Sequence, residues 1–341
     1  MEYRKLGNSG AVVTNLCLGT MTFGAESDEA TAFAIMDDYV EAGGNFLDTA
    51  DVYSAGISEE IIGRWLRGKN QRDLVIATKA RFPMGTGANH HGTSRKHLAE
   101  ALEASLTRLG VEQIDLYQMH AWDALTPLEE TLRFLDDAVR AGKIAYYGFS
   151  NYLGWHITKA VWLAKMQGFA APVTLQPQYN LLVRDIEHEV IPACLDAGMG
   201  LLPWSPLGGG WLSGKYRRDQ MPSGATRLGE NPKRGMEAYE KRNAEERTWA
   251  VIGAVEDIAK ARGVSMAEVA LAWLADRPAV TSVILGARTR DQLKANLGAG
   301  DLHLTAEETE GLDTVSKPPV ADYPYGAGGI QQRNRKIEGG R

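Results

Sequence analysis

Only two cysteines occur in 341 residues, Cys17 and Cys194, both in apolar surroundings and far apart in the chain. Two thiols build neither a disulfide framework nor a zinc cluster, and a reducing cytoplasm is the compartment they fit best. No run of about 18 apolar residues is present, which excludes an ordinary transmembrane helix. The opening Met1-Glu2-Tyr3-Arg4-Lys5, followed by Gly7-Asn8-Ser9-Gly10, shows no apolar stretch of the secretory kind. A basic excess is missing as well: 37 Lys and Arg stand against 43 Asp and Glu, a formal charge of −6. That balance argues against nucleic acid and anionic membrane as partners. No Gly-x-Gly-x-x-Gly follows the first candidate strand, so a Rossmann cofactor domain is not expected.

What is present is ordinary for a globular protein, with 44% hydrophobic and 23% charged residues. The length allows two domains or one large one, and an α/β barrel is the usual way for one domain to absorb so much chain. Short apolar runs at 16–19, 45–48, 74–78, 115–118, 145–148, 173–176, 200–203 and 283–285 read as strands. Amphipathic stretches lie between them, with Ser27, Thr93 and Pro127 at helix starts and Gly43, Gly110 and Gly142 at helix ends. The strand ends Asp48, Thr78, Gln118, Gly148, Gln176 and Pro203 follow one another at 30, 40, 30, 28 and 27 residues. Such a rhythm fits strand–helix units with parallel strands, because each crossover needs a helix to return the chain.

The expected architecture is therefore α/β: a (β/α)8 TIM barrel over residues 1–317, with 318–341 as a C-terminal tail. Segments 3–6 and 12–15 read as an N-terminal hairpin at the barrel floor. An insertion over 207–246 separates strands 7 and 8, and its charges from Lys233 to Arg247 suggest an exposed, partly helical loop. The end of the tail, 331–341, carries a local charge of +3 and is expected to be flexible.

In such barrels chemistry gathers at the C-terminal ends of the strands. Asp48, Tyr53, Lys79 and His120 each stand at or just beyond one. An acid, a phenol, an ammonium and an imidazole converging on one mouth suggest proton transfer through a tuned phenol. A free tyrosine has a pKa of about 10, and a close lysine cation is expected to lower it. Asp48 would hold Lys79 charged, and His120 would orient a substrate oxygen.

These residues, taken with their neighbours, resemble the aldo-keto reductases. The resemblance is carried by Asp48-Thr49-Ala50-Asp51-Val52-Tyr53 with Gly56, Ser58-Glu59-Glu60 and Gly63, then by Thr78-Lys79 and Asp115-Leu116-Tyr117-Gln118-Met119-His120. Gly148-Phe149-Ser150-Asn151, Gln176-Pro177-Gln178-Tyr179-Asn180 and Trp204-Ser205-Pro206-Leu207 continue it in order, over roughly residues 3–315. The pattern is most similar to the branch that includes bacterial general-stress reductases and potassium-channel β subunits.

The resemblance implies NADPH-dependent reduction of an aldehyde or ketone, reversible with NADP⁺, by a catalytic tetrad of Asp48, Tyr53, Lys79 and His120. Ser150, Asn151 and Gln176 would then hold the nicotinamide carboxamide and Trp204 would stack on the ring. Gly19, Thr20 and Met21, at the end of the first barrel strand, join this cofactor set. The small residues and backbone N–H groups of Ser205, Pro206, Leu207, Gly210, Ser213 and Gly214, with the Lys215 cation, suit a pyrophosphate. Gly286, Arg288, Gln292 and Asn296 open and line a helix suited to the adenosine end, and Arg288 favours a 2′-phosphate. Ala295 stands where related proteins often carry an acid toward adenine, which leaves adenine contacts open.

Phe23, Trp122 and Tyr152 lie just past strand ends, where they line a substrate pocket or pack under loops. No metal is expected: His90-His91, His156, His188 and His303 have no ligand set around them and read as solvated. The stretch Gly209 to Tyr216 imitates a phosphate-binding P-loop, but Tyr216 replaces its magnesium-binding hydroxyl. Partners are expected to be small carbonyl or alcohol molecules, with the chain a monomer or weak oligomer. Two other chemistries fit the same residues: a Schiff-base lyase using Lys79, and a binding module that senses the cofactor without turnover.

Overall fold

A computed structural model describes residues 1–326 and 329, apart from 225 and 234. The basic stretch 331–341 lies outside the described residues. The chain opens with the hairpin β1 (Tyr3–Lys5) and β2 (Val12–Thr14), antiparallel and in the register Tyr3 opposite Thr14. Eight parallel strands follow: β3 (Leu16–Gly19), β4 (Phe46–Asp48), β5 (Val75–Ala80), β6 (Ile114–Met119), β7 (Ile144–Ser150), β8 (Thr174–Gln176), β9 (Gly200–Leu201) and β10 (Val283–Gly286). Neighbours pair in chain order, and β10 pairs with β3. The last seam closes where Leu201 N–H donates to Ala279 O (2.7 Å) and Ile284 N–H to Pro203 O (3.0 Å). The result is a (β/α)8 barrel with all eight strands where the spacing predicts them, to within about two residues.

The first six crossover helices are α1 (Glu29–Glu41), α2 (Ile57–Leu66), α3 (Arg95–Leu109), α4 (Leu128–Arg140), α5 (Gly154–Gln167) and α6 (Val190–Ala197). Their ends have local causes. Asp28 and Ser94 accept from Thr31 N–H and His97 N–H at two starts, and Gly110, Gly168 and Gly198 take left-handed φ at three ends.

Hairpin and barrel share one apolar layer: Leu6 and Val13 pack with Cys17, Phe46, Ala77, Leu116, Leu202 and Ile284. Full burial of Leu6 alone contributes roughly 1.5–3 kcal/mol. Gly7 lets the hairpin sit flush against the floor. Its φ is +57°, and a Cβ there would meet Val173 O at 1.9 Å.

The charged stretch from Lys233 to Arg247, expected as an exposed, partly helical loop, does hold a short helix, but part of it is buried, and the segment between β9 and β10 is folded around it. Short turns over Gly208–Ser213, broken by a kink at Gly209 and Gly210, lead to α7 (Arg227–Glu230) and α8 (Tyr239–Asn243). Trp211, Tyr216, Leu228 and Tyr239 are buried there, with Trp211 stacked on Tyr239 at 5.4 Å. Arg242, expected among solvated charges, is buried beside Glu237. Aromatic burial, which a charge count does not register, gives this insertion its own nucleus. Then α9 (Glu246–Arg262) and α10 (Met266–Ala275) return the chain to β10, and α11 (Arg290–Leu297) and α12 (Ala306–Ser316) complete the shell.

Candidate active site

Side chains alternate along a strand, so every second residue points into the barrel. Phe46, Ala77, Leu116 and Ile284 fill the lower interior, and Asp48, Lys79, Gln118 and Gly286 follow them two residues later, nearer the mouth. The same alternation that closes the core thus lifts an acid, an ammonium and an amide to the top. Lys79 Nζ lies 2.5 Å from Asp48 Oδ1, 2.8 Å from Thr49 O and 3.2 Å from Tyr53 Oη. The other oxygen, Asp48 Oδ2, accepts from Gln176 Nε2 (2.8 Å) and Gln118 Nε2 (3.2 Å). Lys79 and Asp48 are both buried, and each charge has its partner.

His120 follows β6 and stands edge-on to Tyr53 (ring centroids 5.8 Å apart) and to Phe82 (4.6 Å). Its Nδ1 is buried without a partner among the described residues. Burial, with the charges of Lys79 and Arg81 adding to it, pushes the imidazole down to about 2, so His120 is neutral at physiological pH. Lys79 is held above its ordinary value: burial opposes its charge, but Asp48 and Tyr53 outweigh that. Tyr53 corrects the expectation drawn from the residues alone. Burial raises the phenol above its ordinary value, Lys79 pulls it down, and Asp48 pushes it up again. Burial wins, and the phenol stays protonated.

A cavity of about 920 Å³ opens above these groups and runs along the C-terminal ends of the strands toward α11. Asp48, Tyr53 and His120 stand at its wall, while Lys79 lies beneath them. All the residues expected to form the cofactor wall line this cavity except Gly214. Asn151 ties the wall together. It donates to His120 O (3.0 Å) and Ser150 Oγ (3.0 Å), and its Oδ1 accepts from Trp204 Nε1 (3.1 Å). Ser150 Oγ in turn donates to Gln176 O at 2.8 Å. Asn151 (φ 57°), Ser205 (φ 54°) and Arg81 (φ 141°) all hold unfavourable positive φ at strand ends, strain of the kind that gathers around functional mouths.

At the far end, Gly208, Gly209 and Gly210 turn with positive φ. Arg288 precedes α11, donates to Glu230 Oε1 (2.8 Å) and is paired with Glu26, while its Nη2 is buried without a partner among the described residues.

Phe23, Trp122 and Tyr152 do not line the cavity. Phe23 and Tyr152 are buried, with Tyr152 stacked on Phe149 at 4.4 Å. Trp122 stacks on His156 at 3.9 Å, and His156 itself is buried rather than solvated. Side chains just past a strand end can turn outward under the loops, and these three find aromatic or apolar neighbours there. Gln118 and Phe82 were not among the expected site residues. Gln118 was within reach, since it lies two residues after the inward Leu116 and two before His120; Phe82 carried no such signal. Among the described residues no group of three or more His, Cys, Asp or Glu is arranged to hold a metal, and no helix is long and apolar enough to cross a membrane.

The Aldo/keto reductase family profile matches residues 15–317. The chain is 38% identical to YrpG, an uncharacterized oxidoreductase of Bacillus subtilis, over 95% of this chain and 98% of that protein. It is also 38% identical to a probable voltage-gated potassium channel subunit beta of Oryza sativa subsp. japonica, over 93% and 98%. Versiconal hemiacetal acetate reductase of Aspergillus parasiticus is 34% identical over 93% and 98%.

Proposed function

The chain belongs to the aldo/keto reductase family, and from that premise we propose that it reduces an aldehyde or ketone to the alcohol with NADPH, reversibly with NADP⁺. Residues 1–317 form the catalytic unit in this reading. The observation that carries it is the group Asp48–Lys79–Tyr53, bonded at 2.5 and 3.2 Å beside a neutral His120 at the wall of one large cavity.

The residues present fit the cofactor. Gly209 and Gly210 line the cavity with positive φ and add no side chain to it, and Lys215 brings a cation to the same wall, which suits a pyrophosphate. The unpartnered Nη2 of Arg288 beside the start of α11 suits a 2′-phosphate. Ser150, Asn151 and Gln176 offer carboxamide partners at the cavity wall, and Trp204 offers a ring face. When bound, NADPH supplies the hydride.

The chain's own residues handle the proton. Tyr53 Oη donates to the carbonyl oxygen as it gains charge, and in the reverse direction it accepts the alcohol proton. Lys79, kept cationic by Asp48, steadies the phenolate left behind. A neutral His120 with its proton on Nε2 donates a hydrogen bond to the substrate oxygen and fixes its position. The charged Lys79 amine, hydrogen-bonded to Asp48, Thr49 O and Tyr53, does not suit Schiff-base chemistry, which needs a neutral nitrogen.

The test is NADPH consumption across aldehydes and ketones, run beside NADH. Turnover is expected with NADPH, and tight binding without any turnover would leave the sensing reading in its place. In Arg288→Ala the KM for NADPH is expected to rise about 10- to 100-fold, the size of a charge-assisted contact, while that for NADH stays within about 2-fold. An equal loss for both cofactors would remove the 2′-phosphate assignment.

A further inference from the structure

Behind the tetrad lies a carboxyl that the mechanism above leaves unused. Asp51 sits between Asp48 and Tyr53 in the chain, fully buried, and its N–H donates to Lys79 O at 3.0 Å. Among the described residues neither of its carboxyl oxygens has a hydrogen-bond partner; the amide of Val52, next in the chain, exerts a favourable pull but does not reach ordinary geometry. Every charged group packed around it is already spoken for. Glu59 on α2 is fully buried and accepts from Arg108 Nε on α3 (2.7 Å) and from Thr78 Oγ1 (2.5 Å). Lys79 on β5 is matched to Asp48. Tyr117 on β6 adds a buried hydroxyl, itself without a partner among the described residues, and Tyr53 shares the loop.

With two cations matched to two carboxylates, an ionised Asp51 would leave one bare negative charge in the interior. Burying such a charge is unfavourable enough that the group keeps its proton instead.

We propose that Asp51 is a positioning residue that rests as the neutral acid, and that loss of its proton holds the Tyr53 phenol more firmly protonated. Burial first, and the neighbouring Glu59 second, lift the carboxyl to about 7, which puts the change inside the working range of pH. The charge of Asp51 also acts on Tyr53 in the stated direction. Carbonyl reduction would then keep its proton donor as pH rises, while alcohol oxidation, which needs Tyr53 to accept a proton, would be held back.

Two measurements test this. The first is the Asp51 carboxyl ¹³C signal in Asp-labelled protein, assigned by its loss in Asp51→Asn or, if that variant folds poorly, in Asp51→Ser. A titration near neutrality is expected. A carboxyl ionised throughout the neutral range would overturn the proposal. The second rests on the reductase reading: in Asp51→Asn the alkaline rise of alcohol oxidation should move about half a unit to one unit toward lower pH. An unmoved profile would overturn the link to Tyr53. Absence of turnover in the unsubstituted protein would instead sink the reductase reading, and the carboxyl signal would then decide the protonation of Asp51 alone.

Stability gives a further readout. The unfolded chain gives up this proton near the ordinary value of 3.8 and the folded chain near 7, so ionisation disfavours the fold increasingly between those limits. Asp51→Asn should therefore match the unsubstituted protein in Tm near pH 4 and exceed it progressively toward pH 7. A Tm difference independent of pH would overturn the neutral-acid assignment.

Discussion

Replacing Tyr53 by Phe is expected to lower carbonyl reduction by about 10²–10⁴-fold, the usual weight of a positioned general acid, with NADPH still bound. The substitution removes one oxygen and keeps the ring. That oxygen makes a 3.2 Å contact with Lys79, whose amine retains Asp48 at 2.5 Å and Thr49 O at 2.8 Å. Loss of fold is therefore not the expected cause of any loss in rate, and Tm should stay within about 2–4 °C. The groups assigned to the cofactor, from Ser150 to Arg288, do not depend on the phenol, so a fluorescence titration with NADPH should be nearly unchanged. An unchanged rate would be fatal to the role given to Tyr53, because among the described residues no other phenol lies against both Lys79 and His120. Since burial keeps this phenol protonated, reduction by the unsubstituted protein should also persist well above neutral pH.

How far this site could be read without coordinates depends on what kind of physics places each residue. Strands betray themselves by length, apolar runs and the regular return of the crossover helix, so the eight barrel strands were legible together with the order of their ends. Asp48, Lys79 and His120 came with them, because each is fixed by register on a strand or just beyond it. What resisted was set by contacts that have no period. The pairing of Arg288 with Glu26 and Glu230 joins three distant stretches of chain, and no spacing announces it. The charges of the insertion suggested an exposed, partly helical loop because its buried apolar side chains, Trp211, Leu212, Tyr216, Leu228 and Tyr239 among the described residues, are scattered among many charges. Trp122 and Tyr152 stood at suitable positions, yet rotated under the loops toward His156 and Phe149. The direction of the Tyr53 shift was misjudged for a related reason. A neighbouring lysine is visible in the sequence as a candidate partner, whereas the depth of burial that outweighs it is a property of the packed structure.

That same burial makes Lys79 the position where charge and fold are most tightly linked. In Lys79→Met the stem keeps similar length and bulk but the ammonium is gone, leaving the buried Asp48 carboxyl with only the amides of Gln118 and Gln176. Removing one member of a buried pair costs about 3–5 kcal/mol, because the other charge stays behind without its partner. The two amides already bond Asp48, which puts the expected loss at the lower end, with Tm falling on the order of 5–10 °C. Activity should fall unequally. Without the cation the phenolate loses its main stabiliser, so alcohol oxidation should suffer more than carbonyl reduction, where Tyr53 begins protonated. The double substitution Asp48→Asn with Lys79→Met removes both charges and should recover much of the lost Tm while recovering none of the oxidation. If stability and activity returned together, Lys79 would be a structural ion-pair partner and nothing more. If the single variant oxidised alcohols at the unsubstituted rate, the cation would have no part in the proton transfer, and the tetrad would have to be drawn without it.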